Sequence, residues 1–281
     1  MSTLLAAARR SPLLFIGAGI VAVLVVVAVL APYLAPYDPR AIAGDALEPP
    51  SSRHLLGTND AGADIFSALV WGARATLTVS VAATALVLAI GVALGLLAGL
   101  RGGLAETVVM RLSDVVLALP AIPLLIFLGA LAGPSRGFAI LSIGLLVWPQ
   151  VARVVRSQAL SLRTRGFVAS ARGFGGGPLY VMRRHLIPAL APVIAANLAF
   201  VAGLAVTIEA GLAFIGLGDP NWVSWGAMLE RALAHQALYV TSIWLWWLLP
   251  AGLAITLAVL GFTFIGVGLE PRFNPRWTRF A

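Results

Sequence analysis

A run of 25 residues without a charged side chain, residues 76–100 (TLTVSVAATALVLAIGVALGLLAGL), decides the class of fold. A helix that crosses a membrane needs about 20 mostly apolar residues, because each adds about 1.5 Å across a hydrocarbon core about 30 Å thick. Five further runs meet this requirement: residues 13–35, 108–131, 138–155, 188–217 and 242–269. The run 108–131 is the least regular, since Arg111 and Asp114 lie in its first turns, spaced to pair on one helix face. The sequence therefore predicts six transmembrane helices.

The composition agrees with an all-α integral membrane protein. Of the 281 residues, 60% are hydrophobic and only 11% are charged, whereas an ordinary soluble domain has about 25% charged residues. This composition excludes a cytosolic enzyme, a disordered chain and a nucleic-acid-binding domain, in spite of the net charge of +8. All 19 basic residues are Arg, and the lack of Cys excludes disulfides, Cys-ligated zinc and iron–sulfur clusters.

The distribution of arginine predicts the orientation of the spans, because cytoplasmic segments carry an excess of basic residues. With the N-terminus inside, 14 of the 19 arginines fall in inner segments and 5 in outer ones. Seven acidic residues fall outside and three inside. Both termini are therefore predicted to be cytoplasmic. The apolar run after Arg9 and Arg10 is longer than that of a usual signal peptide, so we expect it to remain as the first span.

Two hydrophilic segments interrupt the spans. The first, residues 36–74, lies on the predicted outer side, and its prolines and glycines mark turns. Its dense stretch HLLGTND, residues 54–60, mixes apolar and polar side chains in the manner of a packed subdomain, with a flexible linker as the alternative. The second, residues 157–185, lies on the predicted inner side and holds five of the 19 arginines. There the sequence predicts a short amphipathic helix over 163–173, a break at Gly175–Gly177 and a second short helix from Pro178.

Three motifs of the chain resemble a known family. The inner stretch FVASARGFG (167–175), followed by RHLIP (184–188), resembles the cytoplasmic EAA loop of ABC importer permeases. The stretches HLLGTNDAGADIFSALVWGAR (54–74), IEAGLAFIGLG (208–218) and SWGAML (224–229) are similar to the C-type permease subunit of dipeptide, oligopeptide and nickel importers. The resemblance covers residues 10–275. The loop departs from the family motif, because Ala169 replaces the glutamate that names the loop and Ser170 stands at the second position of the motif.

The resemblance implies a type I importer permease fold with three parts: residues 1–74 with the first span and outer loop, a five-span core over 75–270 with its coupling loop at about 157–187, and a cytoplasmic tail over 271–281. It assigns ATPase coupling to Arg163, Arg165, Phe167, Ala169, Ser170, Ala171, Arg172, Gly175, Arg184 and Pro188. It assigns docking of a solute-binding protein to His54, Gly57, Asp60, Asp64, Arg74 and Trp225. The expected partners are a second permease subunit, two ATP-binding subunits on the cytoplasmic side, an extracytoplasmic solute-binding protein and the lipid bilayer of the inner membrane.

The sequence contains no motif that predicts a catalytic activity for this chain. A phosphate-binding loop needs a lysine, which this chain lacks, and no nucleophile–base pair or pair of carboxylates is visible in the spans. His54, His185 and His235 are scattered, so they predict surface histidines rather than a metal site. We therefore expect a subunit that is not an enzyme and binds no cofactor, with ATP and Mg²⁺ held by its partners. The alternatives are a nickel-chelate or other small-solute importer, a self-contained channel or secondary transporter, and a membrane-embedded enzyme.

Glu209 is the acidic residue that lies deep within a predicted span. A charge there is costly, so we expect it to face protein or water rather than lipid. It either holds the fifth span by a hydrogen bond or contacts a cationic substrate in the pathway. Pro120 and Pro123, together with Pro149 and Pro250, are predicted to interrupt their helices, because proline removes a backbone donor.

Overall fold

The computed structural model describes residues 12–269, and the side chains of Ala169, Arg172, Pro178 and Leu179 are excluded from that description. The ten α-helices of this part of the chain are α1 (Pro12–Leu34), α2 (Ile65–Arg101), α3 (Gly103–Ala118), α4 (Ala121–Ala132), α5 (Arg136–Arg163), α6 (Gly166–Gly173), α7 (Pro178–Val181), α8 (Ile187–Phe214), α9 (Trp225–Ala234) and α10 (Leu248–Leu269). A π-helical turn, Met182–Leu186, joins α7 to α8, and two 3₁₀ turns, Gln236–Tyr239 and Ser242–Leu245, precede α10.

The predicted set of spans is confirmed, with one change in form. Five helical stretches are long and apolar enough to cross a membrane, and the sixth candidate is the pair α3 and α4, which is bent by 88°. The predicted third span is therefore two helices rather than one. The bend falls at Leu119, whose backbone is extended (φ −73°, ψ 135°), as the residue before a proline prefers.

The other predicted interruptions are wrong. Pro149 lies inside the continuous helix α5. Pro123 and Pro250 lie in the first turns of α4 and α10, where a proline costs no hydrogen bond. Pro192 is likewise inside α8. A proline therefore marks a break in this chain at Pro120 only, among the four positions that the sequence singled out.

Small residues let the longest helices pack closely. A Cβ atom on Gly91, Gly95 or Gly99 of α2 would lie 2.7 Å from Val151 Cβ, Ala152 O or Ala159 Cβ of α5, respectively. Glycines spaced by four residues bring two helix backbones together, and this close van der Waals packing is one of the forces that associate helices inside a membrane. The α2–α5 pair therefore forms the rigid centre of the bundle, and α5 extends beyond it to carry the loop at residues 164–186.

The two ends of the bundle carry different segments of the chain. We name them by the sides that the arginines predict: the inner end holds the α5–α8 connection, and the outer end holds residues 35–64 with α9. Helix α2 begins at Ile65, earlier than the predicted span at residue 76, because Asp64 caps its N-terminus. The outer hydrophilic segment therefore ends at Asp64, and residues 65–74 form the first turns of a helix.

Candidate functional site

The connection at residues 164–186 is a helix–glycine–helix hairpin at the predicted inner end. Helix α6 ends at Gly173, and the chain reverses at Gly175, whose φ of +81° lies in the left-handed region that glycine tolerates best. The short helix α7 then leads through the π-helical turn into α8. This arrangement confirms the predicted helix, break and second helix, except that Arg163 ends α5 and the loop helix begins at Gly166.

The hairpin is anchored to the bundle by a small apolar cluster. Val168, Val181 and Leu186 are fully buried, and they pack against Leu100 at the end of α2 and Leu162 at the end of α5. Burying three aliphatic side chains contributes about 1.5–3 kcal/mol each relative to exposure in water. The hairpin is thus fixed to the two central helices rather than suspended between them.

The opposite surface of the hairpin is aromatic and exposed. Phe174 is 92% exposed and Phe167 is 43% exposed. The rings of Phe167 and Tyr180 lie 6.1 Å and 5.6 Å from the His185 ring. Large apolar side chains that are left open in this way mark a surface for a protein partner or for the membrane.

The predicted coupling residues lie on this hairpin and at its two roots. Arg163 and Ala171 are half-buried, and the exposed ones are Arg165, Phe167, Ser170, Gly175, Arg184 and Pro188. For Ala169 and Arg172 the structure describes the backbone alone, within α6.

Two ion pairs tie α3 to α5 next to the hairpin. Arg156 of α5 pairs with Glu106, and Arg153 lies 2.6 Å from Asp114. The predicted Arg111–Asp114 pair is confirmed at 3.6 Å. Sequence reasoning found this local pair and missed the other two, because their partners are 39 and 50 residues apart in the chain.

The outer segment, residues 35–64, is held by a buried hydrogen-bond network. His54 Nδ1 donates to Asp64 Oδ1 at 2.9 Å, and both side chains are at most 2% exposed. The other carboxylate oxygen of Asp64 accepts from the backbone N–H and the hydroxyl of Ser67, each at 2.7 Å. Asp64 therefore joins the outer segment to the first turn of α2.

Polar side chains close the remaining turns of the outer segment. The Thr58 hydroxyl donates to the Asp45 carbonyl at 2.6 Å and accepts from the Glu48 N–H at 2.8 Å. The Asn59 side chain accepts from two backbone N–H groups at 2.9 Å. Gly57 has a φ of +70°, and a Cβ atom there would lie 2.3 Å from the Glu48 carbonyl oxygen. The segment is a packed subdomain and not a flexible linker.

The structure changes the role of several predicted docking residues. His54, Gly57, Asp64 and Trp225 are buried, so they hold the outer end together and have no surface for a docking protein. Asp60 is 30% exposed and lies 2.6 Å from Arg231 of α9. Arg74 is half-buried, with its guanidinium 5.5 Å from the centre of the Trp71 ring.

The histidines were also predicted to be on the surface, and this is wrong for His54. It is only 2% exposed, because the outer segment folds over it and Asp64 supplies its partner. His185 and His235 are half-buried against aromatic rings. Within residues 12–269, no group of three His, Asp or Glu side chains is placed to hold a metal ion.

Trp225 is the main contact between α9 and the spans. Its ring is 1% exposed, and its Nε1–H donates to the Leu69 carbonyl at 2.9 Å. The ring lies against Gly72 of α2, where a Cβ atom would be 2.5 Å from it. The next residue, Gly226, lies against the backbone of Ala210 in α8. The stretches 208–218 and 224–229 therefore meet in space, although they are separate motifs in the sequence.

Glu209 lies at this same junction and is 5% exposed, as expected for an acid that avoids lipid. Its carboxyl group faces the hydroxyls of Thr76 in α2 and Ser224, the N-cap of α9. The Thr76 hydroxyl also accepts from the Trp225 N–H at 3.4 Å. Oxygen Oε2 of Glu209 has no hydrogen-bond partner in the described chain. The carboxyl group thus lies where α2, α8 and α9 meet, and its Oε2 atom has no hydrogen bond there.

Glu209 lines a cavity of about 510 Å³ at the predicted outer end. The cavity wall also includes Arg136, Asp219 and Trp222. The Arg136 Nε–H donates to Asp219 Oδ2 at 3.0 Å, and its guanidinium lies 3.8 Å from the centre of the Trp222 ring. This cluster joins the start of α5 to the loop between α8 and α9.

Comparison with known families identifies the architecture. The model of the binding-protein-dependent transport system inner membrane component matches residues 91–279, which include the hairpin and the Glu209 junction. The chain belongs to this family. The model of the N-terminal transmembrane domain of oligopeptide transport permease C also matches residues 5–50 of this permease.

Curated relatives cover most of the permease. A putative peptide permease protein of Brucella suis is 36% identical over 248 residues, 87% of this chain and 81% of the relative. A probable D,D-dipeptide transport system permease protein of Escherichia coli is 34% identical over 95% of this chain and 89% of its own length. A dipeptide transport system permease protein of Bacillus subtilis is 32% identical over 96% and 84%, respectively. The permease is a multi-pass inner membrane protein, in line with its apolar helices.

Proposed function

We propose that this permease is one of two transmembrane subunits of an ATP-driven importer and forms half of the pathway for di- or oligopeptides. The observation that carries the proposal is the hairpin at residues 164–186, which is anchored to α2 and α5 yet presents exposed aromatic side chains at the predicted inner end. A hairpin of this form is a contact for a separate protein, since a free loop gains nothing from exposed Phe167 and Phe174.

The energy for transport comes from partners in this proposal. Two ATP-binding subunits hold ATP and Mg²⁺ and receive the hairpin on the cytoplasmic side. When they close on ATP, the hairpin moves with them as a rigid lever. The displacement reaches the bundle because α5 is locked to α2 by the glycine contacts and to α3 by Arg153 and Arg156. Rocking against a second permease subunit then opens the pathway alternately outward and inward.

The outer end receives the solute. In the proposal, a solute-binding protein rests on the outer segment through side chains that are open to it, including Ile42 and Leu55, which are 80% and 56% exposed. Asp60 and Arg74 lie at the edge of this surface, while the buried predicted residues keep it in shape. A peptide cargo is supported by the names of the relatives, two of which are dipeptide transport permeases.

The test is transport by cells that lack this permease. We expect the deletion strain to lose uptake of labelled di- and tripeptides, and the plasmid-borne permease to restore it. A tagged permease should co-purify with a second permease and two ATP-binding subunits. If the deletion strain loses nickel-chelate uptake but keeps peptide uptake, the transported solute is a nickel chelate and not a peptide. Ion or solute flux through the purified chain alone would contradict the proposal of an importer subunit.

A further inference from the structure

The cavity at the predicted outer end contains an arginine that still has free donors. Arg136 is the first residue of α5, and its guanidinium lies 3.8 Å from the centre of the Trp222 ring. Its Nε–H donates to Asp219 Oδ2 at 3.0 Å. Within residues 12–269, its two terminal nitrogens make no hydrogen bond. One face and one edge of the guanidinium are therefore occupied, and the end with Nη1 and Nη2 is free.

The free end of Arg136 is held in a fixed direction. The Trp222 ring covers one face of the guanidinium, and Asp219, which is 13% exposed, holds the Nε edge. An arginine that is fixed in this way loses little side-chain entropy when it binds a ligand. Its two terminal nitrogens match the two oxygens of a carboxylate. Arg136 is 41% exposed, so a solute in the cavity can reach these nitrogens.

The cavity around Arg136 has the size and the charges of a site for a small zwitterion. Its volume of about 510 Å³ lies within the range of about 300–1,000 Å³ that is usual for small-molecule sites. Among the described residues, its wall has basic and acidic side chains in equal number: Arg40, Arg136, Arg231, Glu209, Asp219 and Glu230. The acidic side chains oppose a simple anion such as phosphate, whereas a peptide with free ends carries both charges. The wall therefore favours a zwitterionic peptide.

We propose that Arg136 binds the terminal carboxylate of the transported peptide while the peptide occupies this outer cavity. The permease itself then selects cargo with a free carboxylate. The inference rests on the proposed function, which supplies the peptide. Trp222 and Asp219 hold the guanidinium in place for this contact. Arg40, which is exposed and has no ion pair in the described part of the chain, adds positive charge to the same wall.

The first measurement compares a labelled dipeptide with its C-terminal amide. Uptake of both is measured in proteoliposomes that contain the full complex and the solute-binding protein. The same binding protein serves every variant, so a change in the ratio of acid to amide uptake reports the permease. Arg136→Gln should lower this ratio about tenfold, because a charge-assisted hydrogen-bonded pair is lost. Arg136→Lys should lower it less, because it keeps the charge but not the two parallel donors.

Arg53→Gln is the matched control, because it removes an exposed outer arginine that does not line the cavity. It should leave the ratio of acid to amide uptake unchanged. A lower ratio in Arg53→Gln, equal to that in Arg136→Gln, would show that the ratio follows the charge of the whole outer end. That result would contradict a specific site at Arg136.

The second measurement tests the cavity without the solute-binding protein, whose acidic side chains are another source of carboxylates. The chain has no cysteine of its own. Ala61→Cys places a thiol on an exposed residue of the cavity wall, and Ser52→Cys places one outside the cavity. In the purified complex, unlabelled dipeptide should slow the reaction of a maleimide with Ala61→Cys but not with Ser52→Cys. The dipeptide amide and inorganic phosphate should give no protection, and adding Arg136→Gln should abolish it.

The outcomes separate this inference from the proposed function. If the complex imports dipeptide with ATP but Arg136→Gln keeps the ratio of acid to amide uptake, the inference is wrong and the proposed function stands. Protection of Ala61→Cys by the amide or by phosphate, or by no ligand, also overturns the inference. If the unaltered complex imports no dipeptide, the proposed function itself fails. If Arg136→Gln does not assemble, the protection of Ala61→Cys beside unaltered Arg136 decides the inference.

Discussion

Glu209 shows how one buried residue can combine a structural contact with an unused polar atom. Its carboxyl group faces Thr76 and Ser224 from two other elements, so it holds α8 against α2 and the N-terminus of α9. Oxygen Oε2 has no partner in the described chain. These contacts support the structural reading of Glu209 over a dedicated substrate contact.

The structural reading makes a definite prediction for two substitutions. Glu209→Gln keeps an oxygen that accepts from both hydroxyls, so we expect almost unchanged stability and uptake. Glu209→Ala strands the hydroxyls of Thr76 and Ser224 and should lower the free energy of unfolding by about 1–3 kcal/mol. Thermal unfolding in detergent and peptide uptake measure both effects. A stable Gln variant without uptake would instead make Glu209 a contact for cationic substrate.

Asp64 is the residue on which the outer segment depends most. It pairs with buried His54 and caps α2 through Ser67. Asp64→Ala should therefore cost about 2–4 kcal/mol, from a lost N-cap and an unpaired buried histidine. The measurement is thermal unfolding, together with the rate of cleavage of residues 35–64 by added protease. Asp60, an aspartate of the same segment, supplies the control.

Asp60→Ala removes only a partly exposed ion pair with Arg231. Pairs of this kind contribute about 0–1 kcal/mol, so the control should resist protease as the unaltered chain does. Equal sensitivity of the two variants would show that the buried pair does not hold the segment. Rapid cleavage of the unaltered complex, with uptake intact, would restore the flexible-linker interpretation.

At the scale of the element, the hairpin at residues 164–186 depends on the turn at Gly175. Its φ is +81°, and no atom lies within 4 Å of a Cβ atom built there, so a substitution strains the backbone alone. Gly175→Ala should cost about 1–2 kcal/mol. Gly175→Pro cannot take this φ at all. We expect both variants to insert normally but to lose coupling of ATP hydrolysis to transport, Gly175→Pro completely.

Gly177→Ala is the matched control for this turn. Gly177 is two residues away, has a φ outside the left-handed region and has equally open surroundings. The readout is ATPase activity of the purified complex with and without the solute-binding protein. Normal stimulation and transport in Gly175→Pro would refute the lever assignment. Loss of coupling in Gly177→Ala as well would show that any change in this turn is harmful.

The elements also show which features the sequence could predict. The spans, the hairpin and the small-residue contact of α2 follow from apolar run length, from Gly175–Gly177 and from glycines spaced by four. The effect of each proline did not follow from the sequence, because Pro149 is buried inside a continuous helix α5 whereas α3 ends just before Pro120. Pro120 breaks its helix because Leu119, the residue before it, takes an extended backbone.

At the scale of the whole molecule, contacts between distant segments could not be predicted from the sequence. The burial of His54 and Trp225 and the pairs of Arg153 and Arg156 depend on elements that meet only in the folded bundle. The motifs that contain His54 and Trp225 resemble functional motifs of the family. Several of them, Trp225 above all, prove to be the packing of the outer end.

The central claim is that this permease converts ATP hydrolysis by its partners into inward movement of peptide. The most direct test is the full complex in proteoliposomes, with ATP on the side of the hairpin and the solute-binding protein with labelled dipeptide on the other. The account predicts dipeptide accumulation that requires ATP hydrolysis and is lost in Gly175→Pro but kept in Gly177→Ala. Dipeptide entry that is equally fast without ATP, or unaffected by Gly175→Pro, would contradict it.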